Sequence, residues 1–146
     1  MVLYFDMCCL KRPFDDQTQA RIALERTAVL ALLKAVDQRQ LRAVRSLAHE
    51  LENSRNPNPR CARAVAAWLA TLNPMEPTPE GVINRAITLQ QRGLGTLDAL
   101  HIAWAEYLKV DVFVTVDDDL LARTARMPDI MIGIRDPVAL VMELSL

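Results

Sequence analysis

The chain has 146 residues, 51% of them hydrophobic and 24% charged, with a net charge of −1 when both histidines are neutral. One domain is the expectation at this length, and the apolar content excludes a disordered chain, which would be poor in such residues and high in net charge. No global basic field draws the protein to nucleic acid or anionic lipid, so any polyanion has to be held locally.

The four glycines argue against a turn-dense all-β fold. Cys8, Cys9 and Cys61 have no zinc-ligand spacing and read as small thiols of a reducing compartment. Asp6 and Lys11-Arg12 break the N-terminal apolar stretch, so no signal peptide is expected. Apolar runs such as residues 28–33 are far short of the ~20 needed to cross a membrane. A soluble, cytoplasmic protein is the expectation.

Residues 1–5 are a continuous apolar run ended by Asp6, the mark of a strand buried on both faces in a parallel sheet. A loop over residues 8–16 follows, with Asp15-Asp16 opening a helix whose apolar residues run from Ile22 to Val36. Residues 41–46 suggest a second strand and 46–54 a helix. Pro57 and Pro59 interrupt the helical pattern, which resumes over 60–72 with Val65, Trp68, Leu69 and Leu72 on one face. Prolines 74, 77 and 79 make a stiff connection to a helix over 80–92 that stops at Gly93. Thr96 is expected to cap a helix reaching residue 109, with Asp98 in its first turn. Residues 112–116 are the strongest strand, stopped by Asp117-Asp118-Asp119. A short helix over 120–126, a strand over 130–134 and a helix opened by Pro137 complete the chain. The alternation predicts an α/β domain with a mostly parallel sheet spanning residues 1–146.

The acids fall where such a sheet binds ligands. Asp6 and Asp117 each follow the carboxyl end of an apolar strand, Glu50 lies a helical turn beyond the second, and Asp98 can point to the same rim. Carboxylates gathered in one place repel one another unless a cation neutralises them. Hard oxygen ligands favour Mg²⁺ or Mn²⁺, ions that activate water and clamp a scissile phosphate. Singly, each acid can equally be a turn, cap or solvated residue.

Asp6 after an apolar strand, Glu50-Leu51, Leu97-Asp98-Ala99-Leu100-His101-Ile102-Ala103 and Thr115-Val116-Asp117-Asp118-Asp119-Leu120 resemble, in that order, the motifs of PIN-domain nucleases, and most of all the bacterial VapC-type group. The resemblance runs along nearly the whole chain, and the last two motifs are its specific part. It implies a three-layer α/β/α sandwich with a central mostly parallel sheet. It also implies a Mg²⁺- or Mn²⁺-dependent endoribonuclease acting on RNA, the toxin of a type II toxin–antitoxin pair with an antitoxin partner, and a homodimer. Carried over, Asp6, Glu50, Asp98 and Asp117 form the catalytic, metal-binding quartet, with Asp119 assisting. Glu52, on a different helical face, is the alternative to Glu50, which is preferred because a Leu follows it.

Thr115 reads as a hydroxyl supporting Asp117, His101 as a structural hydrogen-bonding residue, and Trp68 and Trp104 as core. Lys11, Arg12, Arg55 and Arg60 flank the first two motifs and are candidates for RNA phosphate contacts. Cys8 stands where the family has a hydroxyl or an amide. That departure keeps a rival reading open, a catalytically degenerate PIN domain that binds RNA or protein without cutting.

Overall fold

Four short strands, β1 (Val2–Phe5), β2 (Arg42–Ala43), β3 (Val112–Val114) and β4 (Gly133–Arg135), form one sheet in the computed structural model, which describes residues 1–146. Their order is β2-β1-β3-β4 and every neighbouring pair is parallel. Eight helices surround them: α1 (Met7–Lys11), α2 (Ala20–Asp37), α3 (Leu47–Ser54), α4 (Pro59–Leu69), α5 (Glu80–Gln91), α6 (Thr96–Tyr107), α7 (Asp118–Thr124) and α8 (Pro137–Leu144).

The apolar, unalternating strands are explained by what covers them. Leu3 and Phe5 of β1, with Val112 and Val114 of β3, face a core shared with Cys9 and Leu10 of α1, Val29 and Leu32 of α2, Val65 of α4 and Leu140 of α8. Tyr4 and Phe113 point to the opposite face. There they pack with Ala48 of α3, Val82 and Leu89 of α5, and Ile102, Ala103 and Trp104 of α6. Successive side chains of a strand leave on opposite faces, so a sheet with helices on both sides needs apolar residues at every position. The result is the expected α/β/α layering.

The register sets the site. Leu3, Tyr4 and Phe5 pair with Val112, Phe113 and Val114, so β1 and β3 end side by side. The amide of Asp6 continues the ladder, donating to the Val114 carbonyl at 2.8 Å. Asp6 and the segment Thr115-Val116-Asp117 therefore leave the sheet on one rim.

Several boundaries differ from the sequence expectation. The segment after Asp6 is not a loop: Met7–Lys11 is helical and a 3-10 turn over Arg12–Phe14 follows. Asp15-Asp16 do not open α2, which starts at Ala20. Arg12 donates to Asp15 at 2.9 Å, and Asp16 accepts from the Thr18 amide at 3.0 Å and its hydroxyl at 2.7 Å, a local turn that competes with helix. The second strand is only two residues long. Just past it the Asn73 side chain closes the sheet edge, accepting from the Arg45 amide at 2.7 Å and donating to the Arg45 carbonyl at 3.1 Å. Thr96 is the first residue of α6 and Gly95 takes the cap position. The last strand lies at 133–135 rather than 130–134, and Ile130 turns into the core instead.

Candidate active site

Asp6 is 5% exposed and sits between the ends of β1 and β3. Its Oδ2 accepts a hydrogen bond from the Thr115 hydroxyl at 2.7 Å and from the Cys8 thiol at 3.3 Å. Thr115 is fully buried, and its oxygen also accepts the Asp117 amide at 3.1 Å. One hydroxyl thus ties the first acid to the backbone of the last. The Thr115 hydroxyl, expected to support Asp117, meets that residue's amide and the Asp6 carboxylate. Thr115 supplies the hydroxyl that position 8 lacks.

Asp117 caps α7, its Oδ1 accepting the Leu120 amide at 3.1 Å. Asp98 lies half-buried in the first turn of α6.

The second acid of the cluster is Glu52. Residues two apart on a helix point in nearly opposite directions. Ala48 and His49 turn into the core, which carries Glu52 toward the rim and leaves Glu50 exposed. Glu50 lines a cleft between α3 and α4 with Arg45, Asn53 and Arg63, away from Asp6. The structure groups Glu52, and not the preferred Glu50, with Asp6. One ligand atom each from Asp6, Glu52 and His101 lie within 4.8 Å of one another.

Glu52 is held by a chain of buried polar groups. Its Oε1 accepts from His101 Nε2 at 3.0 Å, and its Oε2 is 3.6 Å from Lys11 Nζ. His101 Nδ1 lies 2.6 Å from the Tyr4 hydroxyl, which lies 2.7 Å from Ser46 Oγ. Nε2 carries a proton because its partner is a carboxylate; in the neutral ring Nδ1 accepts from Tyr4. Burial pushes the Tyr4 phenol well above its ordinary range, so the hydroxyl keeps the proton it donates. Ser46 caps α3, accepting the Ala48 amide at 3.2 Å. The Ser46 amide donates to His49 Nδ1 at 3.1 Å, and His49 Nε2 donates to the Phe5 carbonyl at 2.7 Å. His49 also stacks on Tyr4, with ring centroids 4.4 Å apart. Both histidines and the tyrosine brace the ends of β1 and α3. The sequence reading of His101 had this character, whereas His49 and Tyr4 gave no polar signal among apolar neighbours.

The electrostatics couple the acids. Burial, with the neighbouring Cys8, raises Asp6 well above the usual carboxylate range; His101 and Thr115 oppose this and Asp98 adds to it. Asp98 is raised by burial and then by Asp117, with Glu52 and Asp119 adding and His101 opposing. For Glu52 burial works upward, but the hydrogen bond and charge of His101, with Lys11, outweigh it and lower the carboxyl. Asp119 is exposed and paired with Arg123 at 2.8 Å, at the margin rather than within the cluster.

Among the expected phosphate contacts, Lys11 adjoins Glu52, and Arg12 is committed to Asp15 at 2.9 Å and Glu25 at 3.3 Å. Arg55 and Arg60 are exposed on α3's end and α4's start without an ion pair. Trp104 is buried as expected, and Trp68 packs edge-on against Phe5.

The PIN domain family model matches residues 9–127, a span that holds Glu52, Asp98, Thr115 and Asp117. The chain belongs to the PIN domain family. A comparison with curated proteins returns no match. PIN domains are generally nucleases that use divalent metals, and this one gathers acids able to hold such an ion. The donor set fits. His101 has both nitrogens engaged, so the free ligand atoms are carboxylate oxygens, the hard donors that divalent Mg²⁺-like ions prefer. Asp6 and Asp98, destabilised as anions by burial and by neighbouring acidic groups, are relieved by a cation. No helix is long and apolar enough to cross a membrane.

Proposed function

We propose that this PIN domain is a Mg²⁺- or Mn²⁺-dependent endoribonuclease of the VapC type, with Asp6, Glu52, Asp98 and Asp117 as its metal-holding carboxylates. The observation that carries the reading is the convergence of these acids, from four separate elements, on the rim where β1 and β3 end. A bound ion would activate water and neutralise charge on the scissile phosphate. The chain's own groups prepare the place: Thr115 and Cys8 orient Asp6, His101 orients Glu52, and Lys11 offsets part of the negative charge. The Thr115 hydroxyl on Asp6 favours the active reading over the binding-only one. In this reading residues 1–146 act as one domain, since Leu140 of α8 packs on Val29 beneath the sheet. The protein works in the cytoplasm, a compartment suited to three free thiols, as a homodimer toxin restrained by an antitoxin.

The test is calorimetric titration with Mg²⁺ and Mn²⁺, paired with cleavage of single-stranded RNA. Binding and cleavage are both expected, and Asp98→Asn should abolish cleavage while the fold persists. Cleavage that survives EDTA would overturn the metal-dependent reading. Metal binding without cleavage of any RNA would overturn the nuclease assignment.

A further inference from the structure

A second charged feature lies beside the acids, on α7 and the turn between α5 and α6. Arg92, Arg123, Arg126, Met127, Pro128 and Asp129 line an open concavity of about 470 Å³. Three guanidinium groups face it against one carboxylate, in a chain whose net charge is −1. We propose that this concavity binds a backbone phosphate of the RNA strand close to the bond being cut. The proposal rests on the nuclease reading and extends it to where the substrate lies.

The arginines differ in how much of their binding capacity is already used. Arg123 is fixed, its Nε donating to Asp119 at 2.8 Å and its Nη1 to the Gly93 carbonyl at 2.9 Å. Gly93 permits this seat: its φ is +102°, and a Cβ there would lie 3.2 Å from the Arg123 guanidinium. Arg92 donates through Nη1 to Asp129 at 2.5 Å, and Asp129 also serves Arg85 at 3.1 Å. Arg85 is also held by Glu106 at 2.8 and 3.1 Å, so Asp129 offsets Arg92 and the surplus positive charge of the concavity is that of Arg126. Arg126 makes no ion pair and no side-chain hydrogen bond, and it is exposed.

Position links the concavity to the acids. Asp119, the partner of Arg123, is among the charges that raise Asp98. The Gly93–Gly95 turn that receives Arg123 leads directly into α6, whose first turn carries Asp98. A strand lying across Asp98 and Asp117 would reach Arg123 and Arg126 by following α7. Forked guanidinium donors match phosphate oxygens. No aromatic side chain lines the concavity, so it offers no platform for stacking a base. Its contribution is therefore sequence-independent positioning.

The experiment is fluorescence anisotropy with a short labelled single-stranded RNA in EDTA, repeated over a salt series. Proteins compared are wild type, Arg126→Gln, Arg92→Gln/Arg126→Gln and, as a contrast, Arg55→Gln/Arg60→Gln. Each lost phosphate contact should make the slope of log affinity against log salt shallower by about 0.7. Arg126→Gln should show that change and bind severalfold more weakly, with an unchanged thermal midpoint because it loses no internal partner. Unchanged affinity and slope in both Arg126 variants, in a protein that binds and cuts RNA, would refute the concavity and leave the nuclease reading intact. The same holds if the Arg126 variants lose binding to a polyglutamate peptide but not to RNA, which would make it a site for an acidic protein segment. Wild type that neither binds nor cuts RNA would remove both proposals.

Discussion

Acidification should loosen the junction of β1 and α3 through His49. Burial, then the neighbouring His101, with Arg45 adding, lowers this imidazole from 6.5 to about 3, against an opposing hydrogen bond to the Phe5 carbonyl. Its folded-state value lies below its unfolded one, so folding favours the neutral ring. The stabilisation is complete above pH 6.5 and is lost as pH falls from there toward 3. At about 1.36 kcal/mol per pH unit, a fall to pH 4 removes about 3 kcal/mol. Asp6 and Asp98 act with the opposite sign. Their raised values mean that protonating them on acidification stabilises the metal-free fold, so a wild-type profile alone mixes the two effects. His49→Gln separates them, since an amide can still donate to Phe5 and accept from Ser46 without titrating. Denaturant unfolding at pH 7 and pH 4 is the assay. The stability advantage of wild type over His49→Gln should shrink by about 3 kcal/mol between the two. A constant gap would refute the reasoning and show that His49 does not resist protonation.

Neutralising a carboxylate in a repelling cluster should not harm the fold, so Asp98→Asn should hold or raise the metal-free melting temperature while abolishing cleavage; a clear drop would mark Asp98 as structural. Glu52→Gln should weaken Mg²⁺ binding in calorimetry by about 10-fold or more, and His101→Ala, which frees Glu52, by about 10–100-fold. Glu50→Gln, on the other face of α3, should change it by less than about twofold, and equal losses at positions 50 and 52 would contradict the placement. Thr115→Val leaves the Asp6 carboxylate and the Asp117 amide without their shared partner and should cost about 1–3 kcal/mol in denaturant unfolding. Thr115→Ser should recover most of that loss. Because a proton competes with the ion at Asp6, Mg²⁺ affinity should fall on acidification at a higher pH than an ordinary carboxylate would dictate, as a pH series of titrations would read.

Strands β1 and β3 were legible from the chain because a strand covered on both faces carries no polar residue, and a carboxylate placed directly after it has only the rim to occupy. The expectation for Asp6 and Asp117 rests on that pattern, and the parallel α/β plan on the same strands, whereas Asp98 follows no strand and sits in the first turn of a helix. The short helix after Asp6 was not legible. Five residues show too little periodicity to read, and its form depends on Cys9 and Leu10 packing against α2 and α4. The choice between Glu50 and Glu52 was undecidable for a similar reason. A helix has faces, but which one meets the sheet is settled by the partners it packs on, here Tyr4 and α6 against Ala48 and His49. The Ser46–Tyr4–His101–Glu52 chain and the concavity around Arg123 join residues far apart in sequence. Composition and local spacing determine where such groups leave the backbone. Only the three-dimensional packing of the helices decides which of them meet.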